Sequence, residues 1–394
     1  MTDHISPPRK IGVVFGSRSV EHEVSIITAT QLMASIPAHH TVVPLYIDKQ
    51  GKWWTGASLQ EIATFRELDL QNPEGGDRRQ LHITPTPQGN PQAKDDLHQL
   101  VDVAIFCVHG AYSEDGTLAG LFELLGIPYV GPGIVAAAVA IDKIITKHVV
   151  ESAGLNVTDY GWFSAEDWRL DQAEVIHQIS HLTYPMFVKP ASLGSSVGVT
   201  KVKNEADLIK AVNLAVEFDS RIIVEEAAPA DAIEVNISVL GTGQDCEASV
   251  SEQPIQTGEF LSYADKYERG GGKKGGTGSK TSPGSKGMAS LSRNIPAPIA
   301  PSLEEALQEA ACYIWKLVDG FGVARIDFFA NPTTEEFWVG EINSPPGSMS
   351  YYLWEACGLS YPEMIERLVG IAQERFEKRA KLFTSIESNI LKNK

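Results

Sequence analysis

The sequence predicts an α/β (α+β) chain built from more than one domain. Three observations point there. Buried strand-like runs alternate with helical stretches in the first third, the pattern of a parallel α/β unit. The length of 394 residues exceeds what one ordinary core serves and suggests two or three domains. The apolar fraction of 43% is enough to fold such a chain without disulfides.

Residues 10–16, KIGVVFG, read as a buried strand, followed by a helix over SRSVEHEVSIITATQLM. Strands return at HTVVPLYID and VDVAIFCV, with polar Pro/Gly-rich text at 71–96 between them. Residues 132–150 are alanine-rich and read as helix. ESAGLNVTDYGWF reads as a helix end and a short strand, and YPMFVKP, VGVTKVK and SRIIVEEA as further strands around the helix NEADLIKAVNLAVEF. EVNISVLG and CEASVSEQPI open another sheet. SLEEALQEAACYIWKLV is a helix, VARIDFFA and EFWVGEIN are strands, and an amphipathic helix runs from about Tyr361. Boundaries near 131 and 225 divide the chain into 1–131, 132–225 and 226–394.

Several function classes fall away. The net charge of −17 argues against a nucleic-acid partner. The N-terminus has no apolar signal region, and no run reaches the length of a membrane span, so a cytoplasmic protein without a membrane partner is expected. The four cysteines, at 107, 246, 312 and 357, lack metal-ligand spacing and read as reduced thiols. The glycines after the first strand do not spell GxGxxG, which argues against a dinucleotide site.

Four constellations could carry chemistry. In FVKPASLGSSVGV, Lys189 precedes Pro190 in an extended backbone. Gly194, Ser195, Ser196 and Gly198 then allow a tight turn whose N–H groups make a nest for anionic oxygens, with Lys189 as a point charge for phosphate. An ordinary Gly/Ser turn reads the same way. In VARIDFFA and EFWVGEINS, Arg325 and Asp327 share one face, as do Glu341 and Asn343. A hairpin centred near Thr334 sets Asp327 opposite Glu341 and Arg325 opposite Asn343. Facing carboxylates repel; a divalent cation removes that objection, and two carboxylates with an amide oxygen suit Mg²⁺ beside phosphates. The alternative is that Arg325 simply neutralises Asp327 while Glu341 is exposed.

Glu21 and Glu23 fall in the first turn of a helix, where acids complement the macrodipole. Glu21 would also suit a substrate ammonium at the end of the first strand. Glu225, Glu226 and Glu234 are either surface acids or groups able to hold an adenosine. The segment 269–293 has six basic residues and no acidic ones. It reads as a solvated linker or as a lid over a polyphosphate.

Together these residues resemble the D-alanine–D-alanine ligases, a branch of the ATP-grasp enzymes. GSRSVEHEVS, HGAYSEDGTLAGLFELLGIPYVGPG, AIDKIITK, VKPASLGSSVGV, YADKY and ARIDFF…GEINSPPG occur in the family's order, from about Lys10 to Leu368. The resemblance implies three α/β domains in an ATP-grasp fold, with ATP between the central and C-terminal ones and the basic loop 268–294 in the last. It implies that Lys143, Lys189 and Lys266 touch the ATP phosphates, beside Ser195 and Ser196. Glu225 and the backbone of Ala228 would hold adenine, and Glu234 the ribose. Asp327, Glu341 and Asn343 would bind two Mg²⁺ or Mn²⁺. Glu21, Ser195 and Tyr267 match the family's hydrogen-bonded trio, His109 a histidine near the substrates, and Arg325 with the N–H of Gly347 the oxyanion site.

The implied reaction activates one D-alanine as an acyl phosphate, which the amine of a second attacks, giving a dipeptide for peptidoglycan. Tyr267 favours an amine nucleophile. A homodimer is implied by the family's common state. Two stretches depart from the family pattern. After Gly347 the text is shortened, and Tyr351 and Tyr352 stand about where a serine for the second substrate's carboxylate is expected. The segment 269–293 is longer and more basic than usual. A relative with another small amino acid as acceptor, or a nucleotide-binding regulator on a retired scaffold, are the alternatives.

Overall fold

The computed structural model describes residues 7–70, 73–94, 96–194, 196–255 and 292–383. Ser195, Lys266, Tyr267 and nearly all of the segment 269–293 lie outside the described residues.

Three sheets organise the chain. The first is built from β1 (Lys10–Gly16), β2 (Thr41–Ile47), β3 (Trp53–Thr55), β4 (Arg79–Leu81), β5 (Val103–Phe106) and β6 (Tyr129–Val130), in the order β4-β3-β2-β1-β5-β6. β2, β1, β5 and β6 are parallel. Every residue of β1 beyond Lys10 is buried, because helices cover both faces of a parallel sheet and its strands therefore read as continuous apolar runs.

The second sheet is antiparallel: β7 (Tyr160–Ser164), β8 (Met186–Pro190), β9 (Thr200–Val202) and β10 (Arg221–Glu226), in the order β7-β10-β8-β9. The third is also antiparallel: β11 (Ile233–Thr242), β12 (Cys246–Pro254), β13 (Arg293–Asn294), β14 (Phe321–Ala330) and β15 (Phe337–Asn343), in the order β13-β12-β11-β14-β15. The α/β expectation is met. The helix Tyr361–Ala380 starts at a capping box of Ser360 and Glu363, then buries Met364, Ile365, Leu368 and Val369 in the same core as Ile11, Val13 and Ile26. The end of the described chain is thus packed onto its beginning.

Three local expectations need correction. The first helix is His22–Ser35, so Glu21 is its N-cap residue rather than part of its first turn. Ser17 takes a left-handed φ of 83°, which the helix cannot contain. Residues 132–150 are not one helix but two, Ile134–Ile141 and Lys143–Ser152. Asp142 separates them because its Oδ1 accepts the N–H groups of Ile144 and Ile145, both at 3.1 Å, and so starts a new helix. β3 and β4 were not expected. Three residues are too few to show alternation, and β4 lies inside the polar text that reads as loop. Among the described residues no helix is long and apolar enough to cross a membrane.

Candidate active site

The third sheet carries a polar row. Glu252 on β12 pairs with Asn236 on β11, Asn236 with Asp327 on β14, and Asp327 with Glu341 on β15. Two residues along, Arg325 sits between Ser238 and Asn343. Side chains two apart share a face, so both rows look the same way. The register of Asp327 with Glu341 and of Arg325 with Asn343 is the one the sequence predicts.

Arg325 grips Asp327 with both arms, Nε to Oδ1 at 2.6 Å and Nη2 to Oδ2 at 2.7 Å. Asn343 Nδ2 donates to Asp327 Oδ2 at 2.9 Å and reaches Glu341 Oε1 at 3.5 Å. Both readings of the hairpin therefore hold in part: Arg325 does neutralise Asp327, yet Glu341 lines a cavity instead of a plain solvated face. Burial, with Glu341 and Glu234 nearby, pushes the Asp327 carboxyl up to about 7 against the pull of Arg325. Two carboxylates and an amide brought together on one face of the sheet are the donor types that suit a hard divalent cation.

The second sheet and the helix Lys143–Ser152 bring up cations. Lys189 points from β8 to Glu225 on β10, Nζ to Oε2 at 2.8 Å. Lys147, almost wholly buried, stands 3.7 Å from the same oxygen and also donates to Thr158 Oγ1 at 3.0 Å. Burial alone would raise the Glu225 carboxyl, but Lys147 and Lys189 hold it down to about 2. Lys143, at the start of its helix, donates to the carbonyl of Leu193 at 2.6 Å. Burial, then repulsion from Lys189, lowers its ammonium pKa from the ordinary value. The turn after Leu193 is closed by Val197 N–H to Gly194 O at 3.1 Å, with Ser196 and Gly198 at φ of 61° and 70°.

The first sheet adds acids at the carboxyl ends of β1 and β5, where open α/β sheets bind ligands. Glu21 and His109 are both buried. His109 meets Thr28 Oγ1 through Nε2 at 3.0 Å and Glu114 Oε1 through Nδ1 at 3.4 Å. Burial would lower its pKa, but Glu114, with Glu21 behind it, raises it above the ordinary value. The chain between them must be glycine at 110: φ is +78°, and a Cβ would lie 2.9 Å from Glu21 Oε2.

One cavity of about 260 Å³ joins these walls. Glu21 and His109 line it from the first sheet, Lys143, Lys189 and Ser196 from the second region. Glu234, Arg325, Asp327, Glu341, Asn343 and Gly347 line it from the third. Glu225 lies behind Lys189, and Ala228, two residues beyond β10, is not in the lining. Ser195, Lys266 and Tyr267 are outside the described residues.

The stretch after Gly347 separates the two tyrosines. Ser348, Met349 and Ser350 take left-handed φ values of 50°, 54° and 50°. Tyr351 then turns away to stack on Tyr361, ring centroids 4.5 Å apart. Tyr352 turns toward the sheet, its hydroxyl donating to Glu252 Oε1 at 2.9 Å.

Sequence reasoning missed Lys147, Glu114, Asn236, Glu252 and Arg293. Lys147 had a signal, since it lies four residues from Lys143 on a helix. The others come into place only through strand pairing and loop return, which local spacing does not encode.

Comparison with known proteins places this arrangement. Residues 10–132 match the family described as D-ala D-ala ligase N-terminus, and residues 149–370 the family described as D-ala D-ala ligase C-terminus. A D-alanine–D-alanine ligase of Natranaerobius thermophilus is 34% identical over 380 residues, covering 94% of this chain and 96% of that protein. The D-alanine-D-alanine ligase structure from Coxiella burnetii superposes with a TM-score of 0.76 at 27% identity, covering 95% of this chain and 97% of that one. The VanG D-Ala:D-Ser ligase from Enterococcus faecalis does so with a TM-score of 0.74 at 28% identity, covering 93% and 99%.

Proposed function

The chain belongs to the D-alanine–D-alanine ligase family, and on that premise we propose that its cavity joins two D-alanine molecules, driven by ATP, to make the dipeptide used in peptidoglycan. It is a carbon–nitrogen ligase with the ATP-grasp fold. The observation that carries the residue assignment is the sharing of one cavity by the Asp327–Glu341–Asn343 oxygen donors and the Lys143 and Lys189 ammonium groups. A polyphosphate needs both.

In the first step a carboxylate oxygen of one D-alanine attacks the γ-phosphorus of ATP, and ADP leaves with the bond's electron pair. Lys143, Lys189 and Lys266 hold the phosphates, with Ser195 and Ser196 in the closing turn. Glu225 and the Ala228 backbone take the adenine, and Glu234 the ribose. Lys189 then divides its charge between Glu225 and a phosphate. Glu21, Ser195 and Tyr267 would form the trio across the closed site, Glu21 would hold the ammonium of the first amino acid directly or through water, and His109 would lie near the substrates. In the second step the free amine of the other D-alanine attacks the acyl carbon and phosphate departs. Arg325 and the Gly347 N–H stabilise the oxyanion. Exclusion of water protects the acyl phosphate.

Asp327, Glu341 and Asn343 are the residues to hold two Mg²⁺ or Mn²⁺, whose role is to neutralise triphosphate charge. We also assign the divisions 1–131, 132–225 and 226–394, a cytoplasmic location, a homodimer, and no membrane or nucleic-acid partner to this reading. A different amine acceptor is the second reading. It is favoured by Tyr352 standing beside Glu252 and by the likeness to a D-Ala:D-Ser ligase. A retired, non-catalytic scaffold is opposed by the intact set of cations and acids. Phosphate release from ATP with D-alanine, run against a panel of second amino acids, tests the assignment. Turnover with D-alanine alone is expected; turnover only with another acceptor would replace it with the second reading.

A further inference from the structure

Beyond the metal end of the polar row lies a second cluster that the assignment above does not use. Glu252 and Asn236 are each 2% exposed, and both line the cavity. Arg293 Nη1 donates to Glu252 Oε2 at 2.7 Å, and its guanidinium lies over the Tyr352 ring at 4.1 Å. Glu252 Oε1 accepts from Tyr352 at 2.9 Å and from Asn236 Nδ2 at 3.2 Å.

The Asn236 amide can be oriented only one way, because turning it over would press its oxygen against the Glu252 carboxylate. That leaves Asn236 Oδ1 buried without a hydrogen-bond partner among the described residues. A buried acceptor in this state is costly unless something donates to it. The cluster thus offers an acceptor calling for an N–H donor, a carboxylate beside it, and a guanidinium fork whose geometry suits a carboxylate. Its charge pattern is the complement of an α-amino acid zwitterion.

We propose that Asn236, Glu252 and Arg293 form the subsite for the second, amine-bearing substrate: Asn236 Oδ1 and Glu252 receive its ammonium, and Arg293 receives its carboxylate. Tyr352 holds Glu252 and gives the guanidinium a face to rest on, so the departure after Gly347 is a rebuilt carboxylate site. This proposal rests on the ligase reading. It makes these residues determinants of acceptor choice, and it requires an acceptor with a free carboxylate.

The test is a competition between D-alanine and D-alaninamide for the acceptor position, with D-alanine as donor and the two products separated and quantified. D-alaninamide has the amine but no carboxylate to bind or to activate. The wild type is expected to favour the D-alanine product at least tenfold. Arg293→Met should bring the ratio within threefold of unity, and Arg293→Lys should fall between. Glu252→Gln should lower both products together and leave the ratio as it was. A ratio near unity in the wild type, or an unchanged ratio in Arg293→Met, overturns the proposal. If the wild type releases no phosphate with D-alanine, the ligase reading itself fails. The subsite is then read by calorimetry of D-alanine in the presence of ADP: one binding event should be lost in Arg293→Met and partly kept in Arg293→Lys, and identical isotherms overturn it.

Discussion

Asp327 on β14 lies directly opposite Glu341 on β15, two carboxylates paired across neighbouring strands at the floor of the cavity. Cross-strand like charges destabilise a sheet by up to about 1 kcal/mol. The row therefore gives up stability where the chemistry needs oxygen donors. At pH 8, above the value of about 7 for Asp327, Glu341→Gln is expected to unfold at higher denaturant concentration than the wild type when chelator is present. The same variant should lose ligase turnover by about 10²-fold, the usual scale for removing a preorganised charge. Denaturant melts and phosphate-release assays on one preparation read both effects.

Lys189 is a cation shared between Glu225 and the cavity. Lys189→Met should weaken ATP binding about tenfold or more in calorimetry. The fold should survive, because Lys147 still stands beside Glu225. Unchanged nucleotide affinity would remove Lys189 from the phosphate site.

Arg325 is expected to act on the transition state more than on binding. Arg325→Lys keeps a charge but loses the two-armed grip on Asp327. Its kcat should fall about 10²-fold with the KM for ATP little altered. A rise in KM without loss of kcat would make Arg325 a binding residue only.

The fold's acid stability is tied to Glu225. Its carboxyl is held at about 2 when folded, against an ordinary 4.5. A depressed acid stabilises the folded state above the ordinary value, and that contribution is lost as pH falls from 4.5 through 2. The shift corresponds to on the order of 3 kcal/mol. Unfolding free energy followed from pH 6 to pH 2 should drop steeply in the wild type over that window, and the drop should be shallower in Glu225→Gln.

Much of this site was legible before any coordinates. Period-two spacing and a turn near Thr334 were enough to place Asp327 against Glu341 and Arg325 against Asn343. The Lys189 turn and the position of Glu21 after the first strand were legible for similar local reasons. Asn236, Glu252 and Arg293 were not. Their meeting depends on the pairing of β11 with β12 and on the chain's return to β13, and neither has a local signal. The break at Asp142 was hidden because one acid followed by a lysine between apolar stretches also reads as the polar face of a single continuous helix.

Anomalous diffraction from crystals grown with Mn²⁺ and ADP would locate the metal atom by atom. Manganese is expected on the carboxylates of Asp327 and Glu341 and next to the nucleotide's phosphates. Manganese bound elsewhere, with these two carboxylates still facing only Arg325 and Asn343, would contradict it.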